Sequence, residues 1–169
     1  MTVQLSPTLS VSDFVRVVRD RQQVDLSPES RSEMQASRQV IENVMETNDR
    51  RLYGVNTGFG DLYDVNIEPE DQRQLQRNLL SEIIAVGDPL TEEEVRAMML
   101  ARAAVLSAGR AGVRPIIAER ILECLNKGVH PMLGKEGHAN VGISGGIGPL
   151  LFGEGKARYQ GSILPAEEA

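Results

Sequence analysis

Two glycine-rich segments hold the residues whose types and spacing could do chemistry. The first, YGVNTGFG, runs from Tyr53 to Gly60. Its three glycines in eight residues allow positive φ and close backbone approach, and Tyr53 and Asn56 are the polar side chains it can present. A phenol and an amide suit proton transfer and hydrogen bonding, although a tight loop with its Tyr packed on the surface would read the same way. No Lys-Ser/Thr pair follows and no strand signal precedes, which excludes a phosphate cradle. The second segment, VGISGGIGP, runs from Val141 to Pro149. Gly142-Ile143-Ser144-Gly145-Gly146 fits the Gly-x-Ser-x-Gly string of a nucleophile elbow, which needs a strand before it, a helix after it, and an acid and a His downstream. No His follows His138, so that triad is not available in its usual order, and Ser144 alone reads as a turn hydroxyl bonding its own backbone. Cys124, on the inner half of a helix, reads as a small core residue. His130, before Pro131, reads as a capping or packing residue and His138 as an exposed loop residue. Arg102 and Arg114 read first as members of structural ion pairs and second as binders of a substrate carboxylate.

Composition narrows the setting. Of 169 residues, 18 are Lys or Arg and 24 are Asp or Glu, a formal charge of −6; 41% are hydrophobic and 25% charged. That balance suits a folded domain and is too apolar for disorder. An acidic chain with no Trp, three Tyr and three Phe does not suit nucleic-acid binding. No apolar run approaches the ~20 residues of a membrane span, and the N-terminus lacks the basic head and apolar stretch of a secretory leader. One cysteine rules out an internal disulfide, and with both histidines far from it no metal site is expected. The expectation is a cytoplasmic protein that acts on a small molecule, without nucleic acid or membrane.

The elements that must position the two loops are mostly helices. Ser10 caps a helix from Val11 to about Arg21, with Asp13 as the acidic half of a capping box. Ser27-Pro28 starts another that reaches Thr47. Glu68-Pro69 opens a third, with Leu75, Leu79, Leu80, Ile83 and Ile84 on a broad face and Gly87 and Pro89 as its stop. Thr91-Glu92-Glu93-Glu94 is the strongest capping box; its helix runs to about Ala108 and is apolar on most sides, so it reads as buried between others. Pro115 starts the last clear helix, with Ile116, Ile117, Ile121, Leu122 and Leu125 inward and Gly128 as stop. Beyond Gly128 helical periodicity is lost. No strongly alternating strand is present, but Arg158 to Leu164 suits a short hairpin. The fold class is mainly α, a single domain over residues 1–169, with the Tyr53 loop in residues 1–90 and a helix pair plus the second loop in 91–169.

Together these segments resemble the N-terminal part of the histidine and aromatic amino-acid ammonia-lyases. The resemblance rests on YGVNTGFG (Tyr53 to Gly60), LQRNLL (Leu75 to Leu80), VGDPL (Val86 to Leu90) and VRAMMLARAAVLSAGRAGVRP (Val95 to Pro115). It continues through LNKGVHPMLGKEG (Leu125 to Gly137), VGISGGIGPL (Val141 to Leu150) and GEGKARYQG (Gly153 to Gly161). In that family a buried Ala-Ser-Gly tripeptide cyclises into a methylidene-imidazolone electrophile, and the Tyr of the YGVNTGFG loop removes a substrate β-proton as ammonia leaves. Carried onto this chain, the resemblance implies Tyr53 as the base and Ile143-Ser144-Gly145 as the tripeptide, with Ser144 and Gly145 as its reacting residues. It further implies Asn56, Phe59, Gly60, Asn78, Glu82 and Ile143 as positions facing the substrate. A Tyr, with a reference pKa of about 10, needs positive potential nearby to act as a base, and helix N-termini supply one.

The departures from the family pattern are specific. β-Branched Ile143 replaces Ala and restricts the backbone bend; Gly146 replaces the Asp that usually follows and is expected to loosen the loop. The expectation is that the ring does not form and that no cofactor is present. Ser81-Glu82-Ile83-Ile84-Ala85 is one residue shorter than the family stretch that reads the substrate side chain. Ala169 precedes the long central helices that complete the family's site from neighbouring subunits. Three readings follow, in this order. One is a small enzyme without the electrophile that runs an elimination, isomerisation or cyclisation by acid–base chemistry on Tyr53. Another is one subunit of a split ammonia-lyase or aminomutase. The third is a non-catalytic partner of a full-length homologue. All three imply a homo-oligomer or a partner chain supplying further helices.

Overall fold

The computed structural model describes residues 2–47, 50–81, 85–137 and 146–169. The expectations placed on Glu82, Ile83, Ile84, His138, Ile143, Ser144 and Gly145 lie outside the described residues.

Capping chemistry sets the two central helices. The Thr91 hydroxyl accepts the Glu94 N–H at 3.3 Å while the Glu94 carboxylate accepts the Thr91 N–H at 2.7 Å, closing the expected box at the start of helix α4 (Glu92–Ser107). The Thr91 hydroxyl and N–H hold the Glu94 carboxyl below the usual carboxylate range. Helix α5 (Pro115–Lys127) begins at its proline and ends at Gly128 in the left-handed conformation, whose N–H returns to the Cys124 and Leu125 carbonyls. Met99, Leu100, Ala103 and Leu106 of α4 pack with Ala118, Ile121, Leu122 and Leu125 of α5 in the core. Each buried side chain of Leu size contributes roughly 1.5–3 kcal/mol.

Smaller elements close around this pair. Strands β1 (Val3–Leu5) and β2 (Val24–Leu26) pair in parallel across helix α1 (Val11–Val18). They bury Val3, Leu5, Val24 and Leu26 and turn Gln4 and Asp25 outward. Helix α2 (Pro28–Thr47) starts where the Ser27 hydroxyl accepts the Ser30 N–H at 3.1 Å. It lies over the turn between α4 and α5, where the Gly112 N–H donates to Ser37 Oγ at 3.2 Å. Helix α3 (Pro69–Ser81) leads to strand β3 (Ala85–Pro89). Strands β4 (His130–Pro131) and β5 (Gly134–Gly137) and the five-residue helix α6 (Ile147–Leu151) follow, then β6 (Lys156–Tyr159) and β7 (Ser162–Pro165). The sheets are β3–β5 and β4–β6–β7, all antiparallel. The expected hairpin is β6–β7: Gln160 (φ 48°) and Gly161 (φ 80°) turn it, the paired positive φ of a tight two-residue turn.

One buried cation ties these parts together. Arg96 of α4 is 4% exposed. It donates to Val17 O (2.6 Å) and Val18 O (3.0 Å) at the end of α1, to Leu125 O (3.0 Å) near the end of α5, and to His130 Nε2 (3.2 Å). Carbonyls at helix C-termini carry partial negative charge, so the guanidinium satisfies orphan acceptors and two helix dipoles at once. A guanidinium only donates, so Nε2 of His130 must accept and the ring proton sits on Nδ1, 3.5 Å from Glu92 Oε1. Burial is the main cause that lowers the His130 pKa to about 4; Glu92 opposes it and the Arg96 charge adds to it.

Several expectations are corrected. Gly87 and Pro89 do not stop α3; they lie in β3, paired with β5. Helix α1 ends at Val18 rather than Arg21, because Arg96 captures its last carbonyls. Ile116, expected inward, is largely exposed, and so is Val105 on α4. The short strands were not legible as alternation. Cys124 packs against the core, and burial pushes its thiol up. Arg102 and Arg114 make no ion pair among the described residues.

Replacing Arg96 by Met leaves three buried carbonyls without this donor and lowers stability by about 3 kcal/mol or more in urea unfolding. Unfolded, His130 takes up its proton near pH 6.5; folded, only near pH 4. Its contribution is therefore nil above pH 6.5, and stability falls by about 3 kcal/mol as pH drops from 6.5 to 4. A His130→Gln variant lacks that slope over the same window.

Candidate functional site

The Tyr53 loop is built by polar side chains rather than by the core. Among the described side chains between Arg50 and Asn78 none joins the hydrophobic core; the buried residues there are Asn56, Thr57 and Gly58. Asn56, 1% exposed, accepts the Leu52 N–H on Oδ1 at 2.7 Å and donates from Nδ2 to Arg50 O at 3.0 Å. Its backbone carbonyl accepts the Ile67 N–H, and the Gly58 N–H donates to Val65 O, both at 3.0 Å. These bonds fold residues 52–58 back onto 65–67, with Thr57 bridged to Asn66. Gly54 is required at its position: its φ is +72°, and an added Cβ would sit 2.9 Å from the Phe59 ring.

Within this clip Tyr53 and Phe59 meet edge to face, ring centroids 5.5 Å apart at 67°, a favourable aromatic geometry. The Tyr53 hydroxyl accepts the Gly60 N–H at 3.3 Å. That contact orients the phenol oxygen within the loop. Tyr53 is 64% exposed, and Leu62, Tyr63 and Val65 beside it in sequence are exposed as well. Helix α3 is tied to the loop through Gln76 Nε2, 3.4 Å from Gly54 O. Two grooves of about 360 and 480 Å³ run along α2, and neither reaches this loop.

The structure thus brings Tyr53, Phe59 and Gly60 together. Asn56, expected to face the substrate, has both polar ends of its side chain bonded to the loop's own backbone. Asn78 is exposed on α3 and accepts from Gln74 Nε2 at 2.8 Å. Thr57 is the residue that sequence reasoning passed over, and its signal was its place between Asn56 and Gly58 in a loop too short for an apolar core. No group of three His, Cys, Asp or Glu side chains suits a metal among the described residues, and no helix among them is long and apolar enough to cross a membrane.

The second loop is described from Gly146 onward. Gly146 itself has a defined place. It caps α6, and a Cβ placed on it would lie 1.8 Å from Leu133 Cδ2. Leu133 is buried, so a side chain at 146 would have to turn the Leu133 methyl aside within the core. The acidic side chain that follows the tripeptide in the resembled family would here have to displace the Leu133 side chain. Ile143, Ser144 and Gly145, on which the ring-forming expectation falls, lie outside the described residues. On the other side of the loop, Ala85 pairs with Gly137, so the chain that leads into 138–145 lies beside the chain that leads out of 82–84.

Comparison with known proteins agrees with this architecture. The family model "Aromatic amino acid lyase" matches residues 9–169. The histidine ammonia-lyase of Geobacillus thermodenitrificans (strain NG80-2) is 43% identical over 176 aligned positions, covering all of this chain and 34% of that protein. That of Koribacter versatilis (strain Ellin345) is 43% identical over 169 positions, covering 96% of this chain and 32% of that protein. Among solved structures, tyrosine aminomutase from Streptomyces globisporus superposes with a TM-score of 0.91 at 32% identity, over 99% of this chain and 32% of that one. The chain therefore spans about a third of the length of the relatives it matches.

Replacing Gly146 by Asp forces a carboxylate into the space of Leu133 and lowers stability by about 2 kcal/mol or more in chemical denaturation. A neutral result would show that Leu133 yields, and that the family's acid can be restored.

Proposed function

The chain belongs to the aromatic amino acid lyase family, and from that premise we propose that it is the base-bearing subunit of an amino-acid ammonia-lyase or aminomutase assembly. In this reading the electrophile resides in another, full-length member of the family. The observation that carries it is the contrast between the two loops. The Tyr53 loop is intact and internally braced, whereas Gly146, packed against the Leu133 side chain, stands where the family carries the acid that accompanies ring formation. The relatives' names as histidine ammonia-lyases support an α-amino acid as substrate. They weigh against a free-standing cyclase or isomerase, and so does a phenol that is 64% exposed. A proton-transfer site needs that phenol covered and dry, and further polypeptide has to do the covering.

The chemistry assigned to this chain is proton transfer. The Tyr53 oxygen takes the β-proton of the bound amino acid. The C–H electron pair becomes the new C=C bond, and the amino group leaves as ammonia with the former C–N pair. The Gly60 N–H holds the Tyr53 oxygen in place before the step and is donated to it again when the charge returns. Phe59, packed edge-on, fixes the ring plane. A methylidene-imidazolone held by the partner would supply the activation of the amino group as a leaving group.

Complementation tests this. A full-length histidine ammonia-lyase whose own loop Tyr is changed to Phe is inactive. Co-expressed with this chain, it should regain ammonia release from histidine or an aromatic amino acid, whereas the Tyr53→Phe chain should give at least about 100-fold less. Equal rescue by both chains, or rescue by neither, would overturn the proposal.

A further inference from the structure

We propose that Thr57 is the positioning residue of the Tyr53 site, a deepening that rests on the function proposed above. The Thr57 side chain is placed to act on both ends of the loop. Its hydroxyl accepts the Gly54 N–H at 3.2 Å, the amide that directly follows Tyr53, and donates to Gly58 O at 3.0 Å, two residues before the amide that bonds the phenol. Thr57 is 1% exposed. It therefore serves as an internal strut between the backbone that carries the phenol and the backbone that supplies the phenol's hydrogen-bond donor.

Thr57 spans a part of the loop that the core does not shape. Among the described residues, none of 53–60 belongs to the hydrophobic core. Asn56 is already bonded to the backbone at Arg50 and Leu52 on the entry side of the loop. The neighbouring glycines leave the backbone free to relax if the strut goes: Gly54 and Gly60 both hold positive φ, which they can abandon at no steric cost. Removing the hydroxyl leaves one N–H and one carbonyl unpaired in a buried setting, and the cheapest relief is a rotation of the 53–54 peptide that moves the phenol off the Gly60 N–H. Thr57 touches neither substrate nor reacting atoms in this account; it acts through Tyr53.

The test uses Thr57→Val, which keeps the shape and removes the hydroxyl, and Thr57→Ser, which keeps the hydroxyl. By amide hydrogen exchange on the whole chain, Val should speed exchange at Gly54 and Gly60 by at least about tenfold and leave the amides of Met99 and Leu100 unchanged; Ser should restore protection at both glycines. In the complementation assay Val should cut kcat by at least about tenfold with KM within about twofold, and Ser should recover it. Unchanged exchange at Gly60 in the Val variant, or a Ser variant as impaired as Val, would overturn the role. The two readouts separate this proposal from the one beneath it: full rescue by Tyr53→Phe removes the function, while the exchange pattern still decides whether Thr57 holds the loop.

Discussion

The fold depends on the guanidinium of Arg96. A buried cation is costly unless its surroundings compensate it, and here compensation comes from helix ends rather than from a carboxylate bonded to it. The last carbonyls of α1 and the Leu125 carbonyl of α5 converge on one side chain of α4, so α1 and α5 can end against the start of α4 only in one mutual arrangement. His130 completes the set by offering a lone pair, which fixes its neutral state and tautomer. On the surface above, Glu92 and Glu93 in the first turn of α4 pair with Arg21 and Arg19 just beyond α1. That surface contact adds little by itself, but it reinforces the same crossing.

Against this apolar and cationic hub, the Tyr53 loop is a different kind of structure. Its order comes from amide, hydroxyl and backbone bonds within residues 50–67, and the Gln72 and Gln76 side chains of α3 reach it from the next helix. Polar struts of this sort fix local geometry without fixing the loop to the body of the protein. A loop so built presents a phenol accurately while leaving its outer face free to be covered. The second loop is the reverse case. Its exit at Gly146 packs onto the buried side chain of Leu133, and so is tied to the core rather than to polar bonds of its own.

What the sequence made legible follows the range of the interactions. Ser10, Ser27, Thr91, Pro115 and Gly128 act on backbone within four residues of themselves, so the helix starts and the last stop could be read directly. The β6–β7 hairpin was legible for the same reason, since Gln160 and Gly161 carry its turn. Strands of three residues such as Val3–Leu5 and Val24–Leu26 were not, because their pairing is made across an intervening helix. Gly87 and Pro89 carried a stop signal for helices, and the pairing of β3 with β5 decided otherwise. At the site, the motif marked Tyr53, Phe59 and Gly60 as a group. It did not reveal that Asn56 and Thr57 face inward, because an amide or hydroxyl looks the same in sequence whether it meets a ligand or a carbonyl of its own loop. Arg96 was hidden within an apolar helix as one charge among many.

The central claim is that this chain builds the proton-transferring half of a lyase site and not the electrophilic half. Intact-mass measurement of the purified chain tests it most directly. The account predicts the mass of the unmodified sequence; a deficit of two waters mapping to Ile143–Gly145 would contradict it.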